Sequence, residues 1–166
     1  VTLSGGEDFL SLTFTNGGEV RMDDSIISQT SGGSAEVVYG IVNTGTARLR
    51  NVEISGGAAQ STSTGIWNKA SGVLKLTNSS IVAPVSNSGT GTGIRNEGWV
   101  RLEKSQVEVP YTFVMGNGVL NISGTLEIAG GLVAAANSGG SSSAVTMEGG
   151  TGLFVGTLMH GGSGDN

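Results

Sequence analysis

Residues 65–81, GIWNKASGVLKLTNSSI, carry the phrase that decides the fold of this chain. Two neighbouring segments repeat it closely: GIVNTGTARLRNVEI at residues 40–54 and GIRNEGWVRLEKSQV at residues 93–107. An earlier copy, FTNGGEVRMDDSII, occupies residues 14–27, and two looser copies follow residue 107. The copies begin 20 to 31 residues apart, an interval typical of stacked repeat architectures.

Each copy has three apolar anchor positions at nearly constant spacing. In five of the six copies the second anchor follows the first by eight residues, and in five the third follows the second by five. Polar and apolar residues alternate around the anchors, which indicates strands with one buried face. We therefore predict that every anchor is buried. The anchors are Phe14, Met22 and Ile27; Ile41, Leu49 and Ile54; Ile66, Leu76 and Ile81; Ile94, Leu102 and Val107; Val114, Ile122 and Ile128; and Val145, Leu153 and Leu158.

The repeat predicts an all-β, single-domain parallel β-solenoid of about six coils over residues 1–166. The 30 glycines supply the positive-φ corners that such coils need. Stretches rich in Ser, Gly, Thr, Asn and Ala separate the copies, and we predict that they are loops or a flexible third corner on one side of the stack. These predicted loops are residues 29–38, 56–63, 83–91 and 129–143.

The phrase G-I-x-N…G-x-x-x-L-x-N-S-x-I, best seen in residues 65–81, resembles the right-handed parallel β-helix of the pectin-lyase-like superfamily. It looks most like the exported, repeat-rich variants in bacterial surface proteins, autotransporter passengers and phage tail proteins. The resemblance covers roughly residues 10–160 and implies right-handed coils. It implies no single activity, because this superfamily hosts lyases, hydrolases, adhesins and inert spacers.

The composition favours an exported protein. Charged residues make up only 13% of the chain and there is no cysteine, which excludes disulfides and cysteine-ligated metals. The net charge of −5 argues against a nucleic-acid partner, and no stretch is apolar enough for membrane insertion. We expect an extracellular, cell-surface or virion-fibre location, and we interpret the chain as part of a longer exported protein. No cofactor is implied.

An asparagine recurs at the first corner of each of the first four copies. In stacked coils these side chains form a ladder in which each amide bonds to the next coil, and we predict a structural role for it. The fifth and sixth copies carry Gly116 and Met147 at this position, so we expect the ladder to end there. The predicted ladder residues are Asn16, Asn43, Asn68 and Asn96.

A basic residue precedes the second anchor in the same four copies and is expected to face outward. Stacking places like charges about 4.8 Å apart, where they repel. One interpretation is a soluble surface compensated by Glu19, Glu53 and Glu103. The other is a binding line for an acidic glycan, which would offset the repulsion. The basic column consists of Arg21, Arg48, Lys75 and Arg101.

A second candidate site lies one position after the first anchor. Trp67 and Arg95 occupy this position in adjacent copies, and Trp99 follows the asparagine corner. Two interpretations remain open. Either these side chains form a sugar-stacking platform, or Trp67 and Arg95 are a cation–π pair with no ligand.

No residues suggest a catalytic or metal site. The carboxylates are scattered, and Asp23 and Asp24 are adjacent on a strand, where neighbours face opposite ways. We therefore favour a non-enzymatic surface or fibre module for adhesion or for binding a glycan or cell-surface receptor. The alternatives are a polysaccharide-degrading enzyme of the tailspike or pectinase type and a structural spacer. A homotrimer is an assembly that fibre-type β-helices often form.

Overall fold

The computed structural model describes residues 2–4, 10–28, 35–56, 58–83, 85–86, 88–110, 115–136 and 141–162. Within these residues the protein consists of strands and turns, and it has no helix long and apolar enough to cross a membrane. The strands are β1 (Thr2–Ser4), β2 (Leu10–Asn16), β3 (Glu19–Ser28), β4 (Val37–Asn43), β5 (Thr46–Ser55), β6 (Ala58–Ala59), β7 (Thr62–Asn68), β8 (Val73–Thr77), β9 (Ser80–Val82), β10 (Val85–Ser86), β11 (Thr90–Asn96), β12 (Trp99–Val109), β13 (Met115–Asn121), β14 (Thr125–Ala135), β15 (Ser141–Met147), β16 (Thr151–Val155) and β17 (Leu158–Gly161).

The described strands form a parallel β-solenoid of about five turns. One sheet has six strands in the order β2, β4, β7, β11, β13 and β15. A second sheet of nine strands runs β1, β3, β5, β8, β12, β14 and β16, with β9 and β17 also paired to it. A small third sheet pairs β6 with β10. Each strand pairs in parallel with its counterpart one repeat away, so the all-β solenoid predicted from the repeat is confirmed.

The anchors of the second, third and fourth copies form the interior. Ile41, Ile66 and Ile94 are register partners in one column, and all three are buried. The second and third anchors of these copies are buried in the same way, which confirms the predicted register. In the first copy Ile27 is fully buried, whereas Phe14 is only partly so because it lies near the end of the stack.

The predicted register is wrong in the fifth copy. Val114 lies outside the described residues, and the position that pairs with Ile94 is Val119. Ile128 was predicted to be the third anchor but pairs with Leu102, so it is the second. The third anchor is Val133, which is buried opposite Val107.

The sixth copy is displaced in a related way. Val145 occupies the predicted column, but the partners of Ile128 and Val133 are Phe154 and Met159. Leu153 and Leu158, the predicted anchors, lie one residue earlier. They are 59% and 66% exposed.

A longer corner explains the displacement in the sixth copy and contributes to that in the fifth, whose first anchor was also placed five residues too early. Between the first and second anchors, the fifth and sixth copies contain one residue more than the fourth. The extra length is accommodated by Gly124 and Gly150, whose φ values are 78° and 81°. Only glycine adopts this conformation without strain. A Cβ at Gly124 would also lie 1.9 Å from the Gly98 oxygen. Counting eight residues from a first anchor therefore gives the wrong face.

The predicted loops contain regular structure. The start of residues 129–143 belongs to β14, because its Ala- and Gly-rich sequence pairs with the end of β12. Residues 56–63 include β6, and residues 83–91 include β10. Small residues from these segments form two minor clusters beside the main core, one around Ala59 and one around Ala83. Residues 29–34 and 137–140 lie outside the described part of the chain. A segment rich in small residues can therefore form closely packed strands as well as turns.

A second corner bends the long strands of the nine-stranded sheet. Its residues adopt the left-handed conformation in successive turns. The serine that follows uses its hydroxyl to complete the bend: Ser79 and Ser105 accept hydrogen bonds from backbone N–H groups of the preceding turn, each at 3.2 Å. The left-handed positions are Asp24, Asn51, Asn78, Lys104, Gly130 and Gly156.

Lys104 is the least suited of these residues to its backbone conformation, because its φ is 49° and its side chain has no short polar group to compensate. We expect Lys104→Asn to raise the free energy of unfolding by about 0.5 to 1 kcal/mol. Urea unfolding measures the change. Lys104→Gln is the matched control, because it removes the same charge and keeps the strain. Equal stability of the two variants would contradict the argument.

Candidate functional site

Five asparagines line the corner between the two main sheets. In each of the first four, Nδ2 donates to Oδ1 of the next asparagine at 2.6 to 2.8 Å. The same nitrogen of Asn68 also donates to the backbone carbonyls of Gly72 and Trp99. The ladder thereby satisfies polar groups in a buried corner, and its role is structural. Its members are Asn16, Asn43, Asn68, Asn96 and Asn121.

The ladder extends one turn further than predicted. Asn121 was missed because the fifth copy was read in the wrong register, which placed Gly116 at this position. Gly116 instead pairs with Gly91. The ladder ends where Met147 pairs with Asn121, and the Asn121 amide donates to a backbone carbonyl there.

The basic column lies on the outer face of the nine-stranded sheet. Arg21, Arg48, Lys75 and Arg101 are register partners in β3, β5, β8 and β12, as their shared position predicts. Glu127 continues the column in β14, so the run of cations stops after four turns. Each of the four basic side chains is between 40% and 72% exposed.

Carboxylates accompany the first half of the column. Asp23 bridges two arginines, with its oxygens 3.0 Å from Arg21 Nε and 2.8 Å from Arg50 Nε. Glu19 pairs with Arg48 across adjacent strands. Because these groups are largely exposed, each pair contributes little to stability and is open to exchange with another anion.

The second half of the column is more completely paired. Glu103 accepts from Lys75 at 3.2 Å and from Arg101 at 2.7 Å, and Arg101 also lies 3.4 Å from Glu127. Glu19 and Glu103 therefore compensate the column as one interpretation predicted. Glu53 makes no ion pair with the residues that the structure describes, so its predicted compensating role is not seen. Each of the four cations of the column therefore has a carboxylate partner, and the more exposed pairs are those of Arg21 and Arg48.

Two carboxyl groups of this face are held in the ionised form. The hydrogen bond from Arg50 lowers the pKa of Asp23, and Arg21 adds to the effect. The hydrogen bond from Lys75 lowers the pKa of Glu103, with a further contribution from Arg101. Conversely, Asp23 raises the pKa of Arg50. The face thus carries fixed charges of both signs at neutral pH.

An open groove of about 250 Å³ lies between these side chains, and we call it the basic groove. Four cations and one carboxylate line it, so its local charge is positive although the protein is acidic overall. Two further carboxylates, Glu19 and Glu103, reach the cations from the rim. The lining residues are Arg21, Asp23, Arg48, Leu49, Arg50, Lys75 and Thr77.

Trp67 is the centre of a second cluster, on the outer face of the six-stranded sheet. Lys69 Nζ and Arg95 Cζ lie 4.4 and 4.9 Å from its ring centroid, and the Tyr39 ring is 5.3 Å away. The indole Nε1 donates to Glu97, which also pairs with Arg95. The cation–π pair expected between Trp67 and Arg95 is present, and a sugar-stacking role stays a prediction.

Trp99 does not extend this cluster along the same sheet. It lies in β12 of the nine-stranded sheet, where it pairs with Val73 and Thr125. The asparagine corner separates it from Trp67, since the backbone carbonyl of Trp99 accepts from the Asn68 ladder side chain. The two tryptophans thus belong to different outer faces.

Asp23 and Asp24 do not form a joint site. Asp23 faces the basic groove, whereas Asp24 adopts a φ of 50° at the second corner and accepts a hydrogen bond from Asn51. In the described part of the chain, no group of three or more metal-ligating side chains is assembled.

Sequence reasoning missed Arg50, Glu127 and Tyr39 as participants. Arg50 was detectable, because residues two apart on a strand share a face and Arg48 was already assigned outward. Tyr39 was harder to detect from the sequence. Its contact with Trp67 depends on the bend of β4 at Gly40, which the strand register passes over.

Comparisons of the chain with protein-family models, with curated proteins and with solved structures found no match. The function is therefore inferred from the chemistry of the surfaces described above.

Proposed function

We propose that this protein is a non-enzymatic binding module that holds an acidic glycan in the basic groove. One observation carries the proposal: Arg21, Arg48, Arg50 and Lys75 converge from three adjacent strands on one open groove. Among its described lining residues Asp23 is the one carboxylate, and Glu19 and Glu103 pair with two of the cations from beside it. A face built only for solubility has no need to concentrate half of the chain's eight basic residues at one place.

The geometry suits a polymer that runs along the stack. Adjacent strands present their cations at intervals of about 4.8 Å, so one chain of uronate or sulfate groups reaches several of them. Guanidinium groups bind carboxylate and sulfate through paired hydrogen bonds. Arg48 and Arg50 are more than half exposed, and such a ligand would replace their present partners, Glu19 and Asp23. Simultaneous contacts raise the affinity beyond that of any single pair.

The enzymatic alternative has weaker support at this groove. A glycoside hydrolase needs one carboxylic acid with a raised pKa to protonate the leaving oxygen. Both perturbed carboxyl groups here, Asp23 and Glu103, have lowered pKa values because arginine and lysine donate to them. They are therefore suited to balancing charge and unsuited to donating a proton. A structural spacer would not require the groove at all.

The proposed location and assembly of the protein are based on its composition and on its resemblance to exported β-helices. A chain poor in charge and rich in Gly, Ser, Thr and Asn fits an exported adhesin or tail fibre, with right-handed coils similar to those of the pectin-lyase-like superfamily. An extracellular or cell-surface location would bring the groove to a host or microbial glycan. Exposed Leu153, Val155 and Leu158 near the last turn offer an apolar contact for the proposed homotrimer.

Replacing Arg48 and Lys75 together by Gln tests the proposal. We expect this double variant to bind polygalacturonate and heparin at least about tenfold more weakly than the wild type, a loss of about 1.4 kcal/mol. Binding of the wild type should also fall steeply with salt. The free energy of unfolding should change by less than about 1 kcal/mol, because the lost ion pairs are exposed.

The matched control is Lys69→Gln with Arg95→Gln, which removes two cations from the other sheet. It should retain most of the binding. Equal weakening by both double variants would show attraction to overall charge and contradict a site in the groove. Absence of wild-type binding at low salt would reject the acidic-glycan ligand.

A further inference from the structure

A larger groove, of about 460 Å³, lies on the outer face of the six-stranded sheet near its C-terminal end. Strands β11, β13 and β15 form its floor, and its lining includes Met115, Asn117 and Leu120 of β13. The volume falls in the range of small-ligand sites, about 300 to 1,000 Å³. It lies on a different sheet from the basic groove and has no lining residue in common with it.

Asn117 is the distinctive group of this groove. Asn117 is only 3% exposed, and its Oδ1 accepts a hydrogen bond from Thr146 Oγ1 at 2.8 Å. Its Nδ2 has no acceptor among the described residues, although it carries two N–H donors. Thr64 and Thr92 hold the equivalent position in the preceding turns. A buried donor without a partner is unfavourable, and a ligand that accepts from it removes the penalty.

The rest of the lining is suited to a hydroxylated ligand. Thr90, Ser141 and Ser143 bring hydroxyl groups to the groove, and Met115 and Leu120 supply apolar surface beside them. Met115 is 45% exposed, which is high for a large apolar side chain in a strand. Among the described residues of the lining, Glu148 is the ionisable one. A pyranose ring has the matching chemistry, with an apolar face and hydroxyls at its edge.

We propose that this groove binds a neutral sugar residue, with the Asn117 amide donating to a sugar oxygen and Met115 and Leu120 contacting the apolar face of the ring. The described lining residues include Glu148 and no cation, a combination that disfavours an acidic sugar. This site is independent of the proposed acidic-glycan site, so each can fail while the other stands.

Nuclear magnetic resonance of the labelled full chain tests the proposal. Neutral hexasaccharides of glucose, mannose, galactose and N-acetylglucosamine are added separately to millimolar concentration. We expect at least one of them to shift both the Asn117 side-chain amide and the Met115 methyl resonances. Asn117→Leu should weaken that binding by at least about tenfold, because the donor is lost. The midpoint of unfolding should change little, because the variant removes the amide donor together with the acceptor of the Thr146 hydroxyl.

Two further variants keep the test decisive. Met115→Ser changes an exposed position, so it preserves the fold and should also weaken binding. Arg48→Gln with Lys75→Gln should leave neutral-sugar binding unchanged, which separates this site from the basic groove. The proposal is overturned if none of the four sugars shifts both resonances, or if Asn117→Leu and Met115→Ser bind as tightly as the wild type.

Discussion

The Leu76→Asp variant is expected to be unfolded at room temperature. Leu76 is fully buried between Leu49 and Leu102 in the central column of the nine-stranded sheet. The change removes a buried leucine side chain, which alone is worth about 2 to 5 kcal/mol, and places a carboxylate in a column with no cation. Since domains are stable by only about 5 to 15 kcal/mol, the sum exhausts most of the stability. Circular dichroism measures the loss of β structure, and urea titration measures the free energy of unfolding that remains.

Val73→Asp is the matched control for this prediction. Val73 lies on the same strand, β8, but faces outward and is 37% exposed. The same apolar-to-acidic change there should lower the free energy of unfolding by less than about 1 kcal/mol. If the two variants lose similar stability, the inward and outward faces of β8 have been assigned incorrectly, and the interior columns with them.

The second large effect concerns the asparagine ladder. Asn68→Ala should lower the free energy of unfolding by about 2 to 5 kcal/mol, because it leaves the carbonyls of Gly72 and Trp99 without their shared partner and removes the acceptor of the Asn43–Asn68 bond. Asn43 keeps its bonds to two backbone carbonyls. Asn68 lies mid-ladder with an asparagine on either side.

Asn16→Ala provides the comparison, because Asn16 ends the ladder and has one asparagine neighbour. We expect it to lose about 1 kcal/mol. Guanidinium unfolding of both variants measures the two losses in free energy of unfolding. A loss at Asn68 no greater than at Asn16 would mean that the ladder fills space without coupling the turns.

The central repeats were predictable because several independent sequence signals agree there. In the turns of Ile41, Ile66 and Ile94, anchor spacing, alternation and the corner asparagine all indicate the same register. The last two turns were not predictable in this way. In the fifth, Val114 was taken as the first anchor although Val119 holds that position. In both, one extra residue at the corner of Gly124 or Gly150 shifts every later side chain to the other face. A one-residue corner insertion is invisible to anchor counting, and only the strand pairing reveals it.

The candidate sites also differ in how far the sequence predicts them. The basic column was predictable, because it depends only on a repeated position relative to a buried anchor. Its pairing with Asp23 and the presence of Arg50 depend on which neighbours share an outer face across strands. The groove around Asn117 depends on the corrected register of the fifth copy and on an amide nitrogen that has no acceptor in the described part of the chain. A linear sequence displays neither feature.

The most direct test of the proposed function is a titration of the labelled protein with an acidic hexasaccharide, followed at the arginine Nε–H resonances. At an ionic strength of about 0.01 M the screening length is about 30 Å, so the groove cations act together. We predict that the signals of Arg21, Arg48 and Arg50 shift and that the signal of Arg95, on the other sheet, does not. No shift in the first three, or an equal shift of Arg95, would contradict acidic-glycan binding in the basic groove.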